Sequence, residues 1–245
     1  MNWLQHHWDA RAAANFMLGG TGAGLMISLN LGGGDSAFPI LLSLILVAAG
    51  LIAVWLEIGR KLRAIHVFFN PFTSWMTRES FAALLLFPLG IGAIFVPSAL
   101  PLAAAAALAF LYCQARILRA AKGIPAWRAP QIVPLIVFTG LAEGAGLALL
   151  FSGDHLLFTL FVLAVGARFV AWGRYRAAVR SDALEPAGKA LVWIGTVAPL
   201  ALAFLTPFAG LAVLATGWWL KFALVTRASF NQGYALPQLP VRGTR

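Results

Sequence analysis

Cysteine occurs once in 245 residues, at Cys113. A chain so poor in thiols forms no internal disulfide and cannot by itself hold an iron–sulfur cluster. Charge is almost as scarce: charged residues make up 11% of the sequence, and Asp and Glu together number 8. A soluble domain uses about a quarter charged residues, so a water-facing surface cannot be built from this chain. Histidine occurs only at His6, His7, His66 and His155. The first pair precedes the first apolar run, His66 falls between two runs, and His155 opens a later one at the opposite end. No two of them can bracket a b-type haem inside a bilayer, which excludes a haem-carrying subunit. Residues 1–9 lack a basic n-region and a small-residue cleavage site, so no cleavable signal peptide is expected.

What the chain has is hydrocarbon. Hydrophobic residues make up 61%, and the mean hydropathy is +0.85. A helix crosses the hydrocarbon layer with about 20 apolar residues. Runs of that length stand at 12–31, 38–58, 79–97, 99–119, 131–151, 155–174, 188–205 and 207–225. The expected fold is therefore all-α, an integral membrane bundle of eight transmembrane helices over 1–227. An extended, Pro-containing cytoplasmic tail follows at 228–245. Tight links at Pro97–Pro101 and Thr206-Pro207 make the flanking helices antiparallel neighbours. Gly19, Gly20, Gly22 and Gly24 give the first helix a small-residue surface, and Gly140, Gly144 and Gly146 give the fifth another. Such surfaces let helix backbones approach closely. Neither is a nucleotide fingerprint, because no strand or βαβ unit surrounds it.

The net charge is +10, and its placement speaks for a membrane rather than for nucleic acid. With an even number of spans, both termini share a side with the loops at 59–78, 120–130 and 175–187. All 18 Lys and Arg are assigned to those loops, tails or adjoining helix ends, Arg168 and Lys221 among them. The opposite loops carry Asp35 and Asp154 and no base. The positive-inside rule then puts both termini in the cytoplasm, with the protein in the inner membrane. A basic face of this kind would equally suit an acidic docking partner.

Few polar residues fall at membrane depth, and those that do are functional candidates. Asn15 is expected one turn into the first helix, Glu57 one turn inside the end of the second, and Glu79 at the start of the third. All three lie at a similar depth on the cytoplasmic side. Glu57 has a second reading, as a helix-end ion pair with Arg60 or Arg63. Glu79 has one too, as an acid favouring the positive end of its helix. His66 either handles protons at the rim or is a solvated interfacial residue. Glu143 sits mid-helix, far from either end. It points to a proton path or polar cavity, or else to a neutral, hydrogen-bonded acid in the core.

The run Leu56-Glu57-Ile58-Gly59-Arg60, then Arg63-Ala64, Asn70-Pro71 and Thr73-Ser74-Trp75-Met76-Thr77-Arg78-Glu79 resembles the DmsC/NrfD membrane-anchor superfamily. The glycine-rich first helix and the eight runs extend the likeness over nearly the whole chain. These subunits anchor molybdenum–iron–sulfur oxidoreductases and exchange electrons with quinone. The resemblance implies that Glu79 lies near a quinol site. The position of Glu57 is often histidine in the dimethyl sulfoxide reductase anchors, and some relatives have a quinone-contacting histidine at the position of Asn15. The tail from Lys221 through Phe230-Asn231-Gln232-Gly233, Ala235-Leu236-Pro237 and Pro240-Val241-Arg242-Gly243 is similar to that of the membrane subunit of phenylacetyl-CoA:acceptor oxidoreductases. A CoA thioester is a cytoplasmic substrate, in keeping with a cytoplasmic basic face.

These readings predict a quinone-reactive anchor of a multi-subunit molybdoenzyme. An iron–sulfur electron-transfer subunit and a molybdenum catalytic subunit would dock on the cytoplasmic face and carry the molybdenum cofactor and clusters. The quinone, menaquinone or ubiquinone, would lie near Asn15, Glu57, Arg60, His66, Trp75 and Glu79. Glu57, Glu79 and His66 would exchange protons, and Asn15, Arg60 and Trp75 would bind the ring. This chain itself would hold no metal, haem or cluster. Two other classes fit the composition: a small-solute or ion transporter built around Glu143, and a purely structural anchor.

Overall fold

The computed structural model describes residues 3–5, 8–32, 36–58, 61–203 and 205–231. Among the described residues the fold is all-helical apart from one short antiparallel pairing. Helix α1 (Ala10–Gly32) starts at Asp9, whose carboxylate accepts the Arg11 N–H and meets the Arg11 side chain at 2.7 Å. The hydrogen-bonded Arg11 guanidinium holds the Asp9 carboxyl below its ordinary range. Helix α2 (Ala37–Glu57) is followed by a 3-10 segment, Lys61–Phe69. Helix α3 (Trp75–Phe95) is capped by the Ser74 hydroxyl, which accepts the Thr77 N–H. Helix α4 (Leu100–Ala120) is entered through the 3-10 turn Pro97–Ala99. After the single helical turn Pro125–Arg128 come α5 (Ile132–Ala148) and α6 (His155–Ala178). Asp154 caps α6 by accepting the N–H groups of Leu156 and Leu157. Helix α7 (Glu185–Val192), a π-helical stretch Trp193–Val197 and α8 (Ala198–Leu202) form one interrupted rod. Helix α9 (Ala209–Thr226) closes the bundle.

Six of these helices are long and apolar enough to cross a membrane: α1, α2, α3, α4 with its entry turn, α6 and α9. They mark a multi-pass membrane protein. The other two expected spans differ in kind. Helix α5 is apolar but has 17 residues, about 26 Å at 1.5 Å per residue. The run at 188–205 is the interrupted rod rather than a single helix.

Two boundaries differ from expectation. Helix α3 begins at Trp75, because Ser74 supplies the cap, so Glu79 lies in its second turn and does not open it. Helix α2 stops at Glu57, which is its last residue and not a turn inside.

Helix α1 is the hub. Its most apolar 18-residue window is 78% buried, against 33% for α2 and for α3. The glycines explain how it gets there: a Cβ at Gly24 would overlap the Gly140 carbonyl, and one at Gly144 would overlap the Gly24 backbone. Gly146 and Gly210 bring α5 and α9 together in the same way. Backbones that close have only glycine to permit them.

The apolar core falls into two clusters. One gathers Phe16, Ala115, Trp127, Leu135, Tyr175, Leu220 and Leu224 at the end where both termini lie. The other gathers Leu25, Met26, Leu44, Leu86, Phe110, Phe161 and Val213 toward the opposite end. The Trp127 indole donates to the Leu224 carbonyl and the Tyr175 hydroxyl to the Ala126 carbonyl. Trp3–Leu4 pairs antiparallel with Phe230–Asn231. The Gln5 amide donates to Val225 and Ser229. The start of the expected tail is thus clasped to the N-terminal segment, while 232–245 lie outside the described residues.

Candidate functional site

A cavity of about 370 Å³ opens at the end of the bundle that carries the termini. Helix α1 supplies Ala12, Asn15 and Phe16 to its wall, and α2 supplies Leu51, Val54, Trp55 and Glu57. Met76, Glu79 and Ser80 come from α3, Ala64 and Val67 from the 3-10 segment, with Trp8 and Ile117 closing the back. The wall is overwhelmingly apolar and aromatic, with a few polar groups aimed inward. That is the usual composition of a small-molecule site, and its size lies within the usual range.

The loop motif between α2 and α3 builds one side of this cavity. Thr77 donates to the Val67 carbonyl, and Arg78 donates to the carbonyls of Pro71 and Phe72. Ser74 also donates its backbone N–H to Asn70. These bonds fasten the 3-10 segment against α3. Leu62 and Phe72 stay 93% and 90% exposed, as suits a segment lying in an interface.

The polar centre is Glu79, buried and held by Asn15, whose Nδ2 donates to Glu79 Oε1 at 3.1 Å. Gln114 of α4 stands beside the carboxylate. Its Nε2 donates to the Asn15 carbonyl at 2.9 Å. That carbonyl belongs to a π-helical stretch, Asn15–Gly19, in which i→i+4 bonding is relaxed. Asn15 Oδ1 and Gln114 Oε1 are buried and without a protein partner. Buried polar atoms of that kind are uncommon and usually take a hydrogen bond from water or a ligand.

Of the expected residues, the structure brings together Asn15, Glu57 and Glu79. Glu57 lies half-buried on the cavity wall, near the point where Arg11 donates to the Leu56 carbonyl. His66 and Trp75 do not join them. His66 is exposed, near the Arg63 carbonyl at 3.1 Å and edge-on to Phe69. Trp75 packs edge-on against Tyr112, with the guanidinium groups of Arg78 and Arg116 4.2 and 4.1 Å from its ring centre. It serves as a cation–π platform. Trp75 and Glu79 are a turn apart on one helix face, but the Trp75 ring packs against Tyr112 and Arg116 of α4, and Met76, Glu79 and Ser80 are the α3 residues that line the cavity. Arg60 lies outside the described residues, as do His6 and His7.

Sequence reasoning passed over Gln114, which stands inside an apolar run beside Cys113. It also misread a second polar group. Arg168 and Lys221 are not helix-end cations; both are fully buried inside the bundle. Nor is Glu143 alone: its Oε2 lies 2.6 Å from Lys221 Nζ. Thr21 donates to the same oxygen at 2.7 Å, and the Trp218 indole donates to Thr21 at 2.9 Å. Arg168 donates to the carbonyls of Val213 and Gly195. Gly195 lies within the π-helical stretch that interrupts the rod. The signal was present in register: Arg168 precedes the end of its helix by ten residues, too deep for a helix-end cation.

Compared with models of known protein families and with curated proteins, the chain matches none.

Proposed function

We propose that this protein is the quinone-reactive membrane anchor of a multi-subunit molybdoenzyme. The observation that carries the reading is the apolar cavity lined by Asn15, Glu57 and Glu79, with the buried, unpartnered Asn15 Oδ1 on one of those lining residues. A quinone head group is flat and apolar, with two oxygens needing polar partners. Trp8, Phe16, Trp55 and Met76 offer the flat walls, and Asn15 with the two carboxylates offers the partners. Electrons come from the iron–sulfur partner, and the quinone supplies the two-electron chemistry when bound. The residues of this chain orient the ring, exclude water and move protons. Asn15 Oδ1 accepts from a quinol hydroxyl. Glu79, buried and held by Asn15, is placed to exchange a proton with the ring oxygen. Glu57, at the half-buried edge, exchanges protons with water.

In this reading the chain crosses the membrane eight times, with α5 and the interrupted rod completing the six long spans. Both termini and the basic loops face the cytoplasm, where the iron–sulfur and molybdenum subunits dock. The tail's similarity makes phenylacetyl-CoA oxidation the reaction to try first. The test is to purify the chain with its partners and compare reduction of a short-chain ubiquinone or menaquinone with that of a soluble dye. Quinone-dependent turnover at sub-saturating quinone that falls about tenfold in a cavity variant such as Asn15→Leu, with dye turnover retained, supports the reading. Equal turnover in the variant removes it.

A second reading rests on the buried trio Glu143, Lys221 and Arg168, since intramembrane charges often mark a transport path. Solute or ion uptake by vesicles holding this chain alone would favour it.

A further inference from the structure

The segment that joins α6 to the interrupted rod borders a second cavity, of about 560 Å³, which shares no lining residue with the first. It lies at the end of the bundle that carries the termini, where Trp172 and Leu184 belong to the apolar cluster of that end. Helix α6 supplies Trp172, Gly173 and Arg176, the connecting segment supplies Arg180, Ser181 and Asp182, and α7 supplies Glu185. The segment turns through the 3-10 stretch Asp182–Leu184, and Pro186 starts α7 behind it. Gly188 lets α7 close on α6, because a Cβ there would overlap the Trp172 ring.

Trp172 is 4% exposed, and its indole N–H has no hydrogen-bond partner among the described residues. The indoles of Trp127 and Trp218 each have one. The Trp172 nitrogen is not sealed from solvent, so it is an open donor on a buried side chain that lines the cavity. Four charged side chains line the same cavity. Arg176 and Glu185 offset each other at 2.7 Å and bridge α6 to α7. Arg180 and Asp182 are exposed, and among the described residues neither forms an ion pair. The cavity thus holds one unpaired cation and one unpaired anion, with the Trp172 and Ser181 donors beside them.

The walls continue into apolar surface. Phe169 and Val170 lie one turn before Gly173 on α6, and Trp193 and Ile194 follow α7; all four are exposed. Polar clefts between membrane helices, with basic side chains above an apolar face, suit lipid head groups.

We propose that this cavity binds a phospholipid whose head group carries a primary ammonium, a phosphatidylethanolamine. The phosphate accepts from Arg180, the Trp172 indole and Ser181, and the ammonium donates to the Asp182 carboxylate. The acyl chains run past Phe169, Val170, Trp193 and Ile194. A lipid so placed ties the interrupted rod to α6 from the membrane side. Head-group chemistry selects this lipid over two others. Phosphatidylglycerol satisfies Arg180 but leaves Asp182 unpaired beside a second anion. Phosphatidylcholine has no N–H for Asp182, and its cation would need an open aromatic face; the Trp172 ring is stacked on Tyr175. The site owes nothing to the quinone reading.

The test uses the full chain, purified in detergent and stripped of lipid. Short-chain phosphatidylethanolamine, phosphatidylglycerol and phosphatidylcholine are the probes, and native mass spectrometry reads their binding. Phosphatidylethanolamine should bind about fivefold more tightly than either of the others, the upper end for one exposed ion pair. Asp182→Asn should erase that preference without weakening phosphatidylglycerol. Arg180→Gln should weaken all three lipids by a similar factor, and so should Trp172→Phe, which keeps a ring but removes the N–H. Arg180 and Asp182 are exposed, so their substitution leaves the core intact. Arg119→Gln, an exposed cation outside the cavity, should change nothing. Equal affinity for the three lipids, or a preference that survives Asp182→Asn, overturns the proposal. Tightest binding of phosphatidylglycerol also overturns it, and assigns the attraction to the general positive charge of Arg174 and Lys189 nearby. Soluble phosphoethanolamine that displaces the lipid at equal concentration overturns the lipid assignment and makes the ligand a solute.

Discussion

Lys221 Nζ and Glu143 Oε2 lie 2.6 Å apart with both side chains fully withdrawn from the surface. The pair ties α9 to α5, and Thr21 brings in α1. A buried pair is costly to form and costlier to break, because removing one partner strands the other charge. Lys221→Met should therefore destabilise the folded chain by about 3–5 kcal/mol. Lys221→Met combined with Glu143→Gln should recover part of that loss, because the Glu143 charge goes with its partner, while Arg168 stays charged and buried in both variants. Melting of the detergent-solubilised protein, run as a double-mutant cycle, measures both. Additive losses in the cycle would mean that the two groups do not depend on each other.

Glycine positions separate packing from mere helix weakness. Gly24→Ala places a Cβ on the Gly140 carbonyl and should prevent α1 from seating against α5. Gly92→Ala and Gly166→Ala meet nothing within 4 Å, and a helical Gly→Ala gains up to about 1 kcal/mol in propensity. We expect Gly24→Ala to lose the monodisperse folded species in size-exclusion chromatography. The other two should melt at or above the parent temperature.

Much of this was legible in the sequence, for physical reasons. Hydrocarbon thickness sets run length, so the helices stand where the runs do, and the glycine surfaces of α1 and α5 announced close packing, though not that the two meet each other. The depth shared by Asn15 and Glu79 needed no more than counting turns. What could not be read was pairing across helices. Nothing local in the sequence says that Lys221 turns inward to meet a glutamate 78 residues away, or that Gln114 reaches Asn15. Trp75 and His66 were drawn into the site by nearness to Glu79 in sequence, whereas Tyr112 and Arg116 of α4 hold the Trp75 ring and the 3-10 segment leaves His66 exposed. The break at Trp193–Val197 carries Gly195 and no internal proline. It was invisible to a hydropathy scan.

His66 and Asn15 should part company when a quinone analogue is titrated onto the purified chain. His66→Ala changes an exposed ring outside the cavity, so the dissociation constant should be unchanged. Asn15→Leu removes both the hold on Glu79 and the free acceptor Oδ1. The loss of one or two hydrogen bonds, roughly 1–1.5 kcal/mol, weakens binding about tenfold. Quenching of tryptophan emission reads both, since Trp8 and Trp55 line the wall. Weaker binding in His66→Ala with none in Asn15→Leu would move the site out to the 3-10 segment.

Glu79→Gln isolates proton exchange from everything else the residue does. Glutamine keeps the size, and its Oε1 still accepts from Asn15 Nδ2, the bond seen at 3.1 Å. Folding, cavity shape and docking of partners should survive, and a melting curve within a degree or so of the parent would verify that. What glutamine cannot do is gain or lose a proton near neutral pH. Quinone-dependent turnover of the assembled complex should then fall by roughly 10²-fold, at the lower end of what a positioned acid–base group contributes. Turnover with a soluble artificial acceptor bypasses the membrane subunit and should stay near the parent value. Glu79→Leu is the complementary change: it leaves the Asn15 amide unpaired in a buried place, so it should lower stability as well as turnover. Full quinone activity in Glu79→Gln would reduce Glu79 to an acceptor that positions Asn15, and the proton would have to come from Glu57. A parallel fall in both activities would place Glu79 in assembly, and the purely structural anchor would become the better reading.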